Sequence, residues 1–129
     1  MRTIRVVAAV IEDGGRYLIT QRRPSAVLPL LWEFPGGRVE DGETDAQALK
    51  REVFHRIGAQ IECGKLISFV THPYEHYSVD LFLYECKLIS PTLEARNVNA
   101  YRWVPSSDFD QYEFTPADEA SMDKLLGVS

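Results

Sequence analysis

Residues 36–59, which read GGRVEDGETDAQALKREVFHRIGA, constrain the fold of this chain more than any other stretch. Thr44 precedes a helix-forming sequence and Gln47 stands three residues later, which is the spacing of a capping box. Asp45 adds negative charge at the positive end of the helix dipole. Gly58 suits the left-handed residue that commonly ends a helix. We therefore predict a glycine turn, an acidic loop, and a helix that begins after Thr44 and ends before Gly58.

The predicted helix has an apolar face and a charged face. Its apolar residues recur at spacings of three and four, which is typical of a helix packed on a core: Ala46, Leu49, Val53 and Ile57. The residues that point away from this stripe are Arg51, Glu52, His55 and Arg56. Because residues three and four apart are neighbours on a helix, Glu52, His55 and Arg56 are expected to form one cluster.

This stretch resembles the Nudix box, the signature of the Nudix hydrolases, and in particular of their MutT-like branch. The box runs Gly, five residues, Glu, seven residues, then Arg-Glu-apolar-any-Glu-Glu-any-Gly-apolar. The residues that match it in register are Gly37, Glu43, Arg51, Glu52, Val53, Gly58 and Ala59. His55 and Arg56 stand where the family has a Glu-Glu pair, so the box is degenerate. The resemblance implies an α/β Nudix fold, an α/β/α sandwich with a mixed sheet, and the length predicts one domain over residues 1–129.

The two departures fall on the part of the box that binds a divalent metal ion in the family. Mg²⁺ prefers oxygen ligands in octahedral geometry, and bound metal ions activate water at neutral pH. Substituting His55 and Arg56 for two glutamates changes the formal charge of the cluster from about −3 to about 0 with a neutral imidazole. The resemblance implies Glu52 and the backbone of Gly37 as metal ligands. His55 is a candidate nitrogen ligand that would shift preference from Mg²⁺ towards metals such as Mn²⁺, and Arg56 is a candidate phosphate contact. We thus expect Mg²⁺ or Mn²⁺ at a weakened site.

Strands and a second helix are predicted on either side of the box. The strands are expected at residues 3–11, 16–21, 60–72, 77–89 and 100–104. The helix is expected to follow the cap Thr115, with Pro116 at its first position, and to end near Leu126 before Gly127.

Arg22 follows the second predicted strand, where a solvated surface arginine is the ordinary interpretation. MutT-like members, however, carry a phosphate-contacting arginine eleven residues before the Glu of a Glu-Phe-Pro-Gly-Gly segment. Arg22 stands eleven residues before Glu33 of such a segment, so the resemblance implies that Arg22 binds phosphate.

Candidates for binding the nucleobase come from the resemblance alone. In MutT-like proteins the start of the strand predicted at residues 77–89 lines the base pocket, which implies Ser78, Asp80 and Phe82, although a Phe at such a position is more often a core residue than one that stacks on a base. Asp118 ends the segment Phe-Thr-Pro-Ala-Asp, whose last residue reads the base in similar proteins, but it would also serve as a helix-capping carboxylate. Relatives place a catalytic or metal-bound glutamate six residues before a Trp of the next strand, where this chain has Asn97, with Glu94 three residues earlier as the alternative.

Composition narrows the class of partner. A net charge of −5 disfavours nucleic acid and acidic membranes, which attract basic surfaces. The two cysteines, Cys63 and Cys86, lack the spacing of a metal site, and the apolar run at residues 6–11 is too short for a signal peptide, so we expect a cytoplasmic protein. A nucleotide or a nucleoside diphosphate-linked small molecule is the expected partner, and the resemblance adds a homodimer as an expectation.

Two hypotheses follow. In the first, the protein hydrolyses a (deoxy)nucleoside triphosphate to monophosphate and pyrophosphate at a low or metal-shifted rate. Glu52 is then the surviving catalytic carboxylate, which Arg51 orients by pairing with Glu43. In the second, the fold binds a nucleotide without chemistry, as a sensor or interaction domain. A purely structural box helix would not account for the retained Arg51, Glu52 and Glu43.

Overall fold

The computed structural model describes residues 2–90 and 92–125. The strands are β1 (Arg2–Asp13), β2 (Arg16–Gln21), β3 (Trp32–Glu33), β4 (Gly36–Arg38), β5 (Ile61–Pro73), β6 (Tyr77–Leu88) and β7 (Ala100–Pro105). The helices are α1 (Asp45–Ile57) and α2 (Pro116–Leu125), with a 3₁₀ helix at Ser106–Gln111. Neither α-helix of the described chain has the length and apolar character needed to span a membrane.

The strands form one mixed sheet with β1 near its centre. The hydrogen-bonded order is β3-β2-β1-β6-β5, while β4 pairs with β1 and β7 pairs with β2. The pairing of β1 with β6 is parallel, and the pairings of β1 with β2 and of β5 with β6 are antiparallel. This arrangement confirms the predicted mixed sheet, and the five predicted strands agree with the observed ones to within two residues at each end. The two short strands β3 and β4 were not predicted, because they form through pairing with β2 and β1 and not through a pattern of their own.

Side chains on β1 alternate between two apolar layers, because successive residues of a strand point to opposite faces. Val7, Ala9 and Ile11 belong to the layer that contains the buried residues of α1. Ala8 and Val10 belong to the other layer, which contains Phe109 of the 3₁₀ helix and residues of α2. The sheet is therefore covered on both faces, as the predicted α/β/α sandwich requires.

Helix α1 begins and ends as its sequence predicts. Thr44 accepts a hydrogen bond from the backbone of Gln47, whose side chain accepts one from the backbone of Thr44, so the capping box is complete. Gly58 takes the left-handed conformation with φ 66°. The apolar stripe is correct at Leu49, Val53 and Ile57 but wrong at its first member.

Ala46 is exposed, and Ala48 is buried instead. The difference arises because Ala46 lies in the first turn, whereas α1 also packs against β4, which covers a second side of the helix. The predicted end of α2 near Leu126 and Gly127 lies outside the described residues.

Candidate active site

A cleft formed by two adjoining cavities lies beside the glycine turn that leads into α1. The cavities have volumes of about 350 and 170 Å³, and the residues that line both are Val6, Arg22, Glu33, Arg38, Leu81 and Asp118. The smaller cavity also reaches Gly36, Gly37 and Arg56. A larger cavity of about 730 Å³ is lined by other residues, including Glu12, Lys65 and Met122. The cleft formed by the two smaller cavities is the candidate site, because it contains Arg22, Arg56 and Asp118, which the sequence analysis singled out.

Arg51 holds Glu52 through a network of short hydrogen bonds. Its Nε and Nη2 donate to the two carboxylate oxygens of Glu43 at 2.7 and 2.9 Å, which is a bidentate pair. Its Nη1 donates to Glu52 Oε1 at 2.6 Å, and Nη2 also donates to the carbonyl of Arg38 at 3.0 Å. The Arg51 guanidinium lowers the pKa of Glu43 to about 2. This geometry agrees with the role that the resemblance implies for Arg51 and Glu43.

Gly37 lies directly against the carboxylate of Glu52. A Cβ atom at position 37 would stand 2.3 Å from Glu52 Oε2, so the Glu52 side chain would have to move. Gly37 therefore allows the turn of β4 and the middle of α1 to approach closely enough for Glu52 to lie beside the turn.

Arg56 and Arg22 extend the charged network into the cleft. Arg56 Nε donates to Glu52 Oε2 at 3.0 Å, and Arg56 Nη1 lies 3.7 Å from Glu33 Oε2. Arg22 Nη1 contacts both carboxylate oxygens of Glu33 at 3.3 and 3.2 Å. We refer to Glu43, Arg51, Glu52, Arg56, Glu33 and Arg22, in which anions and cations alternate, as the charge chain. Its last four members are largely buried, with side chains 12 to 24% exposed.

The carboxylate of Asp118 is held by hydrogen bonds at the start of α2, and its expected role in reading a base stays a prediction. Its Oδ1 accepts a hydrogen bond from the backbone N–H of Phe34 at 3.1 Å, and Oδ2 accepts one from the Thr115 hydroxyl at 2.5 Å. The Thr115 oxygen in turn accepts from the backbone N–H of Asp118 in the first turn of α2. Asp118 is nevertheless part of the wall of both cavities, although only 5% of the residue is exposed. It thus links the start of α2 to the cleft.

Burial raises the proton affinity of the two carboxylates that line both cavities. Desolvation and the nearby charge of Glu33 raise the pKa of Asp118 to about 7. Desolvation also raises the pKa of Glu33, although the charges of Arg22 and Arg56 oppose the rise. The cleft therefore contains one carboxyl group, that of Asp118, with a pKa near neutral pH, and a second, that of Glu33, with a pKa above its ordinary value.

The structure does not bring Ser78, Asp80 and Phe82 into the cleft. Ser78 donates to the carbonyl of His72, Asp80 accepts from the Thr71 hydroxyl, and Phe82 packs against the layer under α1. The residues of β6 that line the cleft are Tyr77, Val79 and Leu81. Because side chains alternate along a strand, the three predicted residues share the opposite face of β6.

Glu33 and Tyr74 are among the residues of the cleft to which the sequence assigned no role. Glu33 served only to align Arg22 with the family segment, yet its carboxylate lies between Arg22 and Arg56. Tyr74 lines the larger of the two cavities, stacks on Tyr77 with ring centroids 5.2 Å apart, and accepts a hydrogen bond from the backbone of Ala117. The position of Glu33 beside the glycine turn could have identified it from the sequence. Tyr74 precedes a turn, and no sequence pattern marked it.

The described donor atoms do not fit the divalent metal ion that the resemblance implies. Both oxygens of Glu52 accept hydrogen bonds from guanidinium groups, and the side chain of His55 is exposed. Asn97 donates its side-chain N–H to the carbonyl of His55 at 2.8 Å and so caps the end of α1. In residues 2–90 and 92–125, no group of three or more His, Cys, Asp or Glu side chains is arranged to hold a metal ion.

Comparison with known proteins identifies the family to which this geometry corresponds. A family model described as NUDIX domain matches residues 6–124. The chain is 33% identical over 128 residues to the CTP pyrophosphohydrolase of Escherichia coli K12, covering 99% of this chain and 95% of that one. It is 30% identical over 126 residues to the 8-oxo-dGTP diphosphatase of Haemophilus influenzae, covering 97 and 93%. The solution structure of the E. coli ORF135 protein superposes with a TM-score of 0.83 at 30% identity, over 99% of this chain and 91% of that one.

Proposed function

The chain belongs to the Nudix family, and from that premise we propose that it is a MutT-like nucleotide pyrophosphohydrolase. Its substrate is a (deoxy)nucleoside triphosphate, which water converts into a nucleoside monophosphate and pyrophosphate. The names of two relatives, a CTP pyrophosphohydrolase and an 8-oxo-dGTP diphosphatase, support this class of substrate. The observation that carries the proposal is a cleft of two cavities that share Arg22, Arg38 and the buried Asp118, with Arg56 in one cavity and Tyr74 and Tyr77 in the other.

The cleft suits a molecule that carries both anionic and aromatic groups. Arg22 and Arg56 supply a local positive charge in a protein whose net charge is −5, so phosphate recognition is concentrated at this place. Tyr74 and Tyr77 supply aromatic surface for a base, and Asp118 supplies a buried polar group that can read its edge. We therefore assign the triphosphate to the arginines and the base to the cavity beside Asp118.

The residues of the chain hold the phosphates and accept the proton that hydrolysis releases. The oxygen of water forms a bond to phosphorus as the bond to the bridging oxygen breaks, and the water hydrogens pass to the products and to a base. We assign that proton to the carboxylate of Glu33, because it contacts both arginines to which we assign the phosphates. Arg51 and Glu43 keep Glu52 in position beside the glycine turn. Since the donor atoms do not fit a resident metal ion, we expect slow turnover.

A nucleotide-binding module without turnover is the second candidate. It is favoured by Glu52, whose two carboxylate oxygens are occupied by Arg51 and Arg56 instead of being open to a ligand. Removing several groups that act together abolishes a chemical step more often than it slows that step. This candidate keeps the same cleft and the same ligand.

The deciding experiment measures pyrophosphate and phosphate release from a panel of nucleoside triphosphates and diphosphate conjugates. Each compound is tested with Mg²⁺, Mn²⁺, Co²⁺ or Zn²⁺ and in EDTA. Wild type is compared with Glu52→Gln and with Glu75→Gln, a matched control whose side chain is 86% exposed. Release that is lost in Glu52→Gln and kept in Glu75→Gln supports the hydrolase. Saturable binding without release in every condition supports the binding module.

Three further proposals concern the whole protein. We propose that residues 1–129 act as one domain and that the protein works in the cytoplasm, where the two cysteines remain free thiols as they are in the structure. We also propose a homodimer, which sedimentation would test directly. The expectation that neither nucleic acid nor membrane is a partner follows from the net negative charge.

A further inference from the structure

Within the charge chain, one guanidinium group lies where two acidic side chains converge. Arg56 lies between the carboxylates of Glu52 and Glu33, with N–O distances of 3.0 and 3.7 Å. Its side chain is 24% exposed, and the two carboxylate side chains are 12 and 16% exposed. Two converging, largely buried carboxylates would otherwise repel each other, so the guanidinium neutralises a position that would attract a metal ion.

We propose that the guanidinium of Arg56 is the resident cation of this cleft and that the protein binds the phosphates of its nucleotide without a divalent metal ion. The inference rests on the proposed nucleotide-binding function and names how that function is achieved in this chain. It accounts for two observations together, namely the lack of a metal-binding group in the described residues and the place of Arg56 in the cavity wall.

Arg56 has donors left for an anion. A guanidinium carries five N–H donors, and the contacts of the described residues engage Nε with Glu52 in a hydrogen bond, whereas Nη1 lies 3.7 Å from Glu33. Arg22 uses Nε for the carbonyl of Val27 at 2.6 Å and Nη1 for Glu33. Both arginines therefore face the same cavity with N–H groups available to phosphate oxygens.

A covalently attached cation behaves differently from a bound ion. The guanidinium stays charged throughout the physiological range and has no lone pair for a metal. It cannot dissociate, be chelated, or be exchanged for another metal. An Mg²⁺ ion that approached Glu52 would meet the positive charges of Arg51 and Arg56, which already hold both carboxylate oxygens. Phosphate binding should therefore depend on salt, which screens charge, but not on chelators.

The test is a calorimetric titration of the full chain with inorganic pyrophosphate and with α,β-methylene analogues of the nucleoside triphosphates, which resist hydrolysis. Each titration is run in EDTA and again with excess Mg²⁺. We expect dissociation constants that agree within about threefold between the two conditions. Arg56→Gln should weaken binding in EDTA about 10- to 100-fold, as loss of a charge-assisted hydrogen bond predicts. Arg56→Lys should retain part of the affinity, and the exposed Arg16→Gln should match wild type.

Arg56→Glu provides the converse measurement, because it places a third carboxylate beside Glu52 and Glu33. Its binding should become dependent on Mg²⁺, with affinity lost in EDTA. Wild-type binding that requires Mg²⁺ would overturn the inference and leave the proposed function intact. An absence of binding by the folded wild type in both conditions would overturn the nucleotide site itself. The wild-type comparison needs no substitution, so a variant that fails to fold does not affect it.

Discussion

Asp118→Asn should remove a pH dependence of folding stability that the wild type carries. The buried carboxyl has an ordinary pKa of 3.8 and a folded-state pKa of about 7. Because the folded-state value is the higher one, the folded protein binds the proton more tightly than the unfolded chain does. Stability therefore declines as the pH rises from about 4 towards 7, and the decline ends above the folded-state pKa.

The magnitude follows from the two pKa values. Their difference corresponds to roughly 4 kcal/mol of destabilisation once the carboxyl is fully ionised in the folded state. Between pH 5 and pH 8 the change should be about 2 to 3 kcal/mol. Asparagine has nearly the same shape, can accept from the N–H of Phe34 through its oxygen, and can donate to the Thr115 hydroxyl, so the fold should be preserved.

The assay is urea unfolding of wild type and Asp118→Asn at pH 5, 6, 7 and 8. We expect the stability of the variant relative to wild type to increase with pH and to level off near pH 8. Asp123→Asn, an exposed position on the same helix, provides the matched control and should follow the wild-type curve. Parallel curves for wild type and Asp118→Asn would refute the reasoning, since they would mean that Asp118 titrates alike in the folded and unfolded states.

Three further substitutions test how the site and its helix are built. Gly37→Ala forces a Cβ to within 2.3 Å of Glu52 Oε2, and the displaced carboxylate should reduce pyrophosphate release about 100-fold in a steady-state assay. Thr44→Ala removes the N-cap of α1 and should cost about 1 kcal/mol in urea unfolding. Leu49→Ala leaves a cavity at a fully buried position and should cost about 2 to 5 kcal/mol in the same assay, whereas the exposed Lys50→Ala should change stability little.

The local signals in the sequence were reliable because they depend on neighbouring residues. A capping box requires only the correct spacing of Thr44 and Gln47, and a left-handed helix end requires only Gly58. The apolar stripe of α1 was less complete, since Ala48 also belongs to the buried core and Ala46 does not. The pattern of apolar residues along one helix does not show which other elements pack against that helix.

The predicted base pocket shows that the alternation of side chains along a strand does not identify which face of the strand lines a cleft. Period-two alternation separates Ser78 and Asp80 from Tyr77 and Val79, but it does not say which set faces the cleft. That choice is made by the parallel register of β6 with β1, in which Val79 lies opposite Ile4 and Leu81 opposite Val6. Residues of both strands then line one cavity.

By itself, the sequence determined the limits of the box helix, because they follow from the spacing of Thr44, Gln47 and Gly58 along the chain. The mixed α/β fold was implied by the resemblance to the Nudix family, and the orientation of Glu52 by Arg51 stays a prediction. Only the tertiary structure decided which groups share the cleft. Glu33 and Arg56 are 23 residues apart in the sequence, and Asp118 accepts from the backbone of Phe34 across 84 residues. Such contacts depend on how the turns, strands and helices pack together, and they set the charge balance and the raised pKa values of the site.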